Sequence, residues 1–108
     1  MVHQVSGIVV RGDGYGRKLG YPTANLDKKT TDVKAGVYAG KASFDDQSFR
    51  AGILINPDGK TEAHLLNFDG DLYGKTLQLE FGKFIREYKK FDSEQELIAQ
   101  IGKDLEKC

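Results

Sequence analysis

Gly12, Gly14, Gly16 and Gly20 crowd one short stretch, and Thr23 and Asn25 follow it at i, i+2 spacing. Glycine lets backbone N–H groups approach an anion closely, so the stretch could cradle phosphate. The Thr23 hydroxyl and the Asn25 carbonyl are hard oxygen donors of the kind magnesium accepts alongside phosphate oxygens and water. On an extended chain such a pair points the same way and could share one ion. Glu62 offers a carboxylate that could take a proton from an alcohol. Each feature also has a plain reading. Glycines are common in the turns of all-β proteins, the segment from Pro22 to Asn25 could be a turn with self-bonding side chains, and Glu62 could be a solvated strand end. The residue types alone leave both readings open.

The familiar phosphate loops do not fit. A dinucleotide fingerprint should open a helix, whereas Pro22 and the β-branched Thr23 follow these glycines. No Gly-Lys-Ser/Thr ending is present, nor are the catalytic and metal-binding signatures of protein kinases. His64 lies near Glu62 and Asp69, but the second histidine, His3, is far away in sequence, so His64 reads as a structural strand residue.

The elements that must position these residues are mostly strands. Val2–Val10 is rich in β-branched residues and reads as a first strand. Gly36–Phe44 and Ser48–Ile55 form a predicted hairpin across Asp45, Asp46 and Gln47. In a second hairpin, Asn56, Pro57, Asp58 and Gly59 place Pro and Gly where a type I turn favours them. Its return strand, Glu62–Phe68, alternates, with Glu62, His64, Leu66 and Phe68 on one face and Ala63, Leu65 and Asn67 on the other. Thr76–Phe84 puts Leu77, Leu79 and Phe81 on one face. Ser93 and Glu96 have capping-box spacing, and Leu97, Ile98, Ile101 and Leu105 continue one helical stripe. The expected fold is mostly β, a small closed antiparallel β-barrel with a C-terminal α-helix, since closure removes exposed strand edges.

At 108 residues the chain reads as one domain spanning 1–108. Sixteen Lys+Arg balance sixteen Asp+Glu, giving no global field toward nucleic acid or membrane. The single cysteine, Cys108, leaves no internal disulfide framework and no cysteine metal cluster. With no membrane-length apolar run and no signal-peptide pattern, the expectation is a cytoplasmic monomer without nucleic-acid or membrane partners.

Three blocks together resemble the riboflavin kinase family. Gly7–Leu26, GIVVRGDGYGRKLGYPTANL, is similar to its Gly-rich signature ending in Pro-Thr-Ala-Asn. Glu62–Gly74, EAHLLNFDGDLYG, resembles the second block, and Phe84–Phe91, FIREYKKF, with the helix after it, the third. The blocks occur in the family's order and cover nearly the whole chain. The resemblance implies transfer of the terminal phosphate of ATP to the ribityl 5′-hydroxyl of riboflavin, giving FMN and ADP, with Mg2+ as the metal.

It also implies roles. Thr23 and Asn25 match the metal ligands and Glu62 the catalytic carboxylate. Gly12 and Lys18 match positions near the phosphates, with Arg17 able to replace Lys18 because the chain is one residue short between Gly16 and Gly20. Thr23, Leu65, Asn67 and Tyr73 match positions beside ATP. Arg86, Lys89 and Phe91 match positions facing the flavin, where Arg86 could hold an anion and Phe91 could pack on the flat ring. Bacterial members are commonly fused to an adenylyltransferase that no part of this sequence resembles, which implies a stand-alone kinase or an excised piece. The loop from Asn56 to Glu62 is shorter than the family's flap. The alternative reading is a non-catalytic flavin- or nucleotide-binding module on the same barrel; a base such as Glu62 would then have no purpose.

Overall fold

The computed structural model describes residues 3–10, 24–30, 33–66, 68, 72–88, 100, 102–104 and 106. Six strands are present: β1 (His3–Val10), β2 (Ala24–Lys29), β3 (Gly36–Phe44), β4 (Gln47–Ile55), β5 (Lys60–Leu65) and β6 (Thr76–Glu87). They close into an antiparallel barrel in the order β1-β2-β5-β4-β3-β6, so no strand is left with an unpaired edge. The expected closed β-barrel is therefore the observed fold. Gln100, residues 102–104 and Glu106 are helical. The rest of the expected C-terminal helix, including its cap at Ser93, lies outside the described residues.

Period-two alternation decides which side chains fill the barrel. On β5, Thr61, Ala63 and Leu65 are buried inside, while Glu62 and His64 are half-buried on the outer face. On β4, Ala51, Ile53 and Ile55 turn inward. Leu77, Leu79 and Phe81 of β6 meet them, with Val9, Ala24, Leu26, Tyr38, Ala42, Phe44 and Leu72 completing the cluster. At one end Phe44, Phe49 and Phe68 pack together, with Phe44–Phe68 centroids 5.4 Å apart in an edge-on arrangement.

The hairpins are set by local chemistry. Between β3 and β4, Asp45 (φ 48°) and Asp46 (φ 64°) both take left-handed backbone, the requirement of a two-residue type I′ turn. Between β4 and β5, the Gly59 N–H donates to the Asn56 carbonyl at 2.8 Å, closing the expected type I turn with Pro57 at its second position. Gly59 itself adopts φ 91°, a conformation that a glycine takes without strain.

Two differences from the sequence expectation have physical causes. β2 forms although its residues lack a strong strand pattern, because β1 and β5 pair with it on either side. β6 continues to Glu87 because it bulges against β3. Tyr38 pairs with Phe84 while Val37 pairs with Arg86, one step on β3 against two on β6. Such a bulge bends a long strand around the barrel wall. At Gly40 the β6 backbone comes so close that an added Cβ would collide with the Glu80 carbonyl oxygen.

Candidate functional site

The register of the barrel lays a single row of residues around its outside. Val10 pairs with Asn25, Asn25 with Glu62, Glu62 with Leu54, Leu54 with Val37, and Val37 with Arg86. Directly opposed residues in antiparallel strands share a face, so all six stand on the same side of the wall. The proposed metal ligand Asn25 and the proposed base Glu62 are thus next to each other, with backbones about 5 Å apart. They are 37 positions apart in sequence, and the β2–β5 pairing brings them together.

A register shift in β2 follows Asn25. Four steps from Asn25 to Lys29 correspond to two on β5, from Glu62 to Lys60. The extra length ends the regular pairing just beyond Asn25, and the Asp27 carboxylate there accepts the Ile8 N–H at 2.9 Å.

The turn beside Glu62 is bonded on every side. Asn56 N–H donates to the Lys60 carbonyl at 2.9 Å, and Lys60 N–H to Asp58 Oδ1 at 3.1 Å. Thr30 N–H donates to the Gly59 carbonyl at 2.8 Å, tying the turn to the end of β2. The hydroxyls of Thr30 and Thr61, both buried, lie 2.8 Å apart, and Thr61 also donates to the Gly59 carbonyl at 3.1 Å. Buried hydroxyls need such partners, and here they fasten the hairpin from beneath. Asn56 Nδ2 reaches over it to Glu62 Oε2 at 3.3 Å.

At the other end of the row, Arg86 is clamped by Asp104. Nε lies 3.0 and 2.9 Å from the two carboxylate oxygens, and Nη2 2.8 Å from Oδ2. The Asp104 side chain is 6% exposed, and Gln100 Nε2 adds a hydrogen bond to it at 2.9 Å. Arg86 Nη1 donates to the Glu87 carbonyl at 3.0 Å. Between the two ends lie Leu54, half-buried, and Val37, buried yet outside the cluster that fills the barrel.

The remaining expected site residues divide into three groups. Tyr73 is 41% exposed in the turn before β6, and Gly74 N–H and the Lys75 carbonyl in that turn bond to Val9 at 2.9 Å each. It therefore sits near the end of β1. Leu65 points into the barrel, 6% exposed, on the face opposite Glu62. Gly12, Arg17, Lys18, Thr23, Asn67, Lys89 and Phe91 lie outside the described residues. Sequence reasoning missed Asn56 and Asp104. The first could have been found by counting across the hairpin, which sets Asn56 diagonally opposite Glu62; the second by its i, i+4 spacing from Gln100 on a helix. Among the described residues, no helix is long and apolar enough to cross a membrane.

Comparison with known proteins places the sequence and the barrel in one family. A family model described as "Flavokinase: Riboflavin kinase" matches residues 1–108. The "RNA-binding riboflavin kinase RibR" of Bacillus subtilis is 36% identical over 110 residues, covering 94% of this chain and 47% of the relative. The "Bifunctional riboflavin kinase/FMN adenylyltransferase" of Escherichia coli K12 is 40% identical over 114 residues, covering 93% and 35%. Thus the chain spans less than half the length of the curated relatives it matches. Among solved structures, one titled "Macrolide-efflux Protein" from Streptococcus pneumoniae superposes with TM-score 0.84 at 34% identity, over 95% of this chain and 37% of that one. A riboflavin kinase from Trypanosoma brucei superposes with TM-score 0.71 at 24% identity, over 97% and 73%, a likeness of fold.

Proposed function

The chain belongs to the flavokinase (riboflavin kinase) family, and from that premise we propose that it transfers the terminal phosphate of ATP to the ribityl 5′-hydroxyl of riboflavin, giving FMN and ADP. The observation that carries the proposal is the pairing of Asn25 with Glu62 on one face of the barrel. It sets an oxygen donor suited to a phosphate-bound cation beside a carboxylate able to serve as base.

Phosphoryl transfer asks a protein mainly to position the reactants and neutralise charge. The donor set suits magnesium, since Asn25 offers an amide oxygen and Thr23, two residues earlier, a hydroxyl. Bound there, the ion would neutralise charge on the ATP phosphate oxygens. Glu62 takes the proton of the attacking hydroxyl as its oxygen bonds to the terminal phosphorus, and ADP leaves from the opposite side. Gly12, Arg17, Lys18, Asn67 and Tyr73 serve the nucleotide, and Leu65 supports that side from within the wall. Arg86, its orientation set by Asp104, serves the flavin end together with Lys89 and Phe91.

The whole of residues 1–108 acts as one kinase domain in this reading. We read it as a cytoplasmic monomer working on small molecules; its balanced charge supplies no global field toward nucleic acid. Purified protein supplied with riboflavin and MgATP, followed by chromatography, tests the proposal. FMN and ADP should appear in equal amounts; flavin binding without FMN would replace the kinase by a binding module.

A further inference from the structure

We infer that Asn56 is a positioning residue for the reaction, its side-chain amide fixing the carboxylate of Glu62; the inference rests on Glu62 being the base. Asn56 Nδ2 lies 3.3 Å from Glu62 Oε2 and 3.4 Å from the Lys60 carbonyl oxygen. Both neighbours are acceptors, which settles which way the amide faces. The backbone carrying this amide is itself held, since its N–H donates to Lys60 at 2.9 Å and its carbonyl accepts from Gly59 at 2.8 Å. Through Gly59 and Thr30 the same turn is tied to β2, the strand that carries Asn25. The orienting group and the metal-side residue therefore share one rigid frame.

The turn does not explain the choice of residue. Asp, Asn and Ser all suit the first position of a type I turn. Asn alone of these brings two N–H donors at this reach, whereas Asp would set a second carboxylate against Glu62. A neutral amide also has no proton to exchange near neutral pH, so it orients the base without competing for the substrate's proton. Positioning of this kind acts on the chemical step more than on substrate binding.

Steady-state FMN formation by Asn56→Ala, Asn56→Asp, Glu62→Gln and the double variant Asn56→Ala/Glu62→Gln tests the inference. Asn56→Ala should lower kcat about tenfold with both KM values within about twofold. Asn56→Asp, which suits the turn equally well, should lower kcat further. In the Glu62→Gln background, Asn56→Ala should add less than about twofold, because residues acting as a unit are not additive. If Glu62→Gln abolishes most turnover while Asn56→Asp keeps wild-type kcat, the positioning role is overturned and the base survives. If Glu62→Gln itself keeps wild-type kcat, the base falls and the inference with it. Should Asn56→Ala not fold, Asn56→Asp alone and in the Glu62→Gln background carries the same comparison.

Discussion

Glu62 and Arg86 stand on one outer row of the barrel and are held in opposite ways. Asn56 gives Glu62 a neutral hydrogen bond at 3.3 Å, on a half-buried face. Asp104 gives Arg86 a two-pronged ionic contact, with a carboxylate that is 6% exposed. Under the proposed mechanism Glu62 takes up a proton, and a neutral donor orients such a group while leaving its charge uncancelled by that contact. A group that fastens the C-terminal segment to β6 tolerates a full ion pair, provided the pair is satisfied by further hydrogen bonds. The contact from Gln100 does that for Asp104. One end of the row carries a neutral contact, which suits the proposed chemistry, and the other a satisfied ion pair.

The largest effect on stability should therefore come from the Arg86 end. Asp104→Ala leaves a guanidinium that is 21% exposed without its carboxylate, and breaking a buried pair in this way costs about 3 kcal/mol. Thermal unfolding should show a midpoint lowered by more than about 10 °C. A drop under about 3 °C would remove the contrast between the two ends.

A smaller effect, and of a different kind, is expected at Asn25. Asn25→Leu should raise the magnesium concentration needed for half-maximal rate about tenfold, leaving the thermal midpoint little changed. The same curve for Thr23→Val should move in the same direction. Unchanged magnesium dependence in both variants would place the metal elsewhere.

The smallest concerns the inner side of the wall, at Tyr38. Burial raises its phenol above the ordinary value of 10.0, and the charge of Lys34 partly offsets this. The folded protein thus holds the phenolic proton more tightly than the unfolded chain. The resulting stability is complete below pH 10.0, the unfolded value, and is lost as pH rises through the folded value. Tyr38→Phe should flatten that alkaline loss. At neutral pH it forfeits about 1 kcal/mol with the hydrogen bond to the Lys34 carbonyl, which is 2.6 Å long. Parallel thermal melts at pH 8 and 11 for both proteins check this; equal slopes would contradict it.

Much of this molecule is legible from its residues, and the limits are physical. The alternation of Glu62 to Leu65 assigns the correct faces, and Pro57 with Gly59 predicts the turn that forms. Asp45 and Asp46 mark their hairpin because Asp tolerates the left-handed backbone it needs. β2 was invisible as a strand, because Asn25, Asp27, Lys28 and Lys29 give no pattern of their own and the strand exists through its neighbours. Strand order was equally hidden, since the β2–β5 and β3–β6 pairs join distant parts of the chain. That is why the chemistry of Asn25 and Glu62 could be suggested separately, while their adjacency could not be read from spacing. Asn56 looked like a turn residue because its second role depends on a side chain across the hairpin.

The central claim is that Glu62, paired with Asn25, accepts the substrate's proton. Its most direct test is FMN formation by Glu62→Gln at saturating riboflavin and MgATP, with binding of both measured separately. The substitution retains the shape and the contact with Asn56 through the amide oxygen, while removing the proton acceptor. Turnover should fall by about two to four orders of magnitude with both affinities within about threefold. Turnover within about threefold of the wild-type value would remove Glu62 from the mechanism.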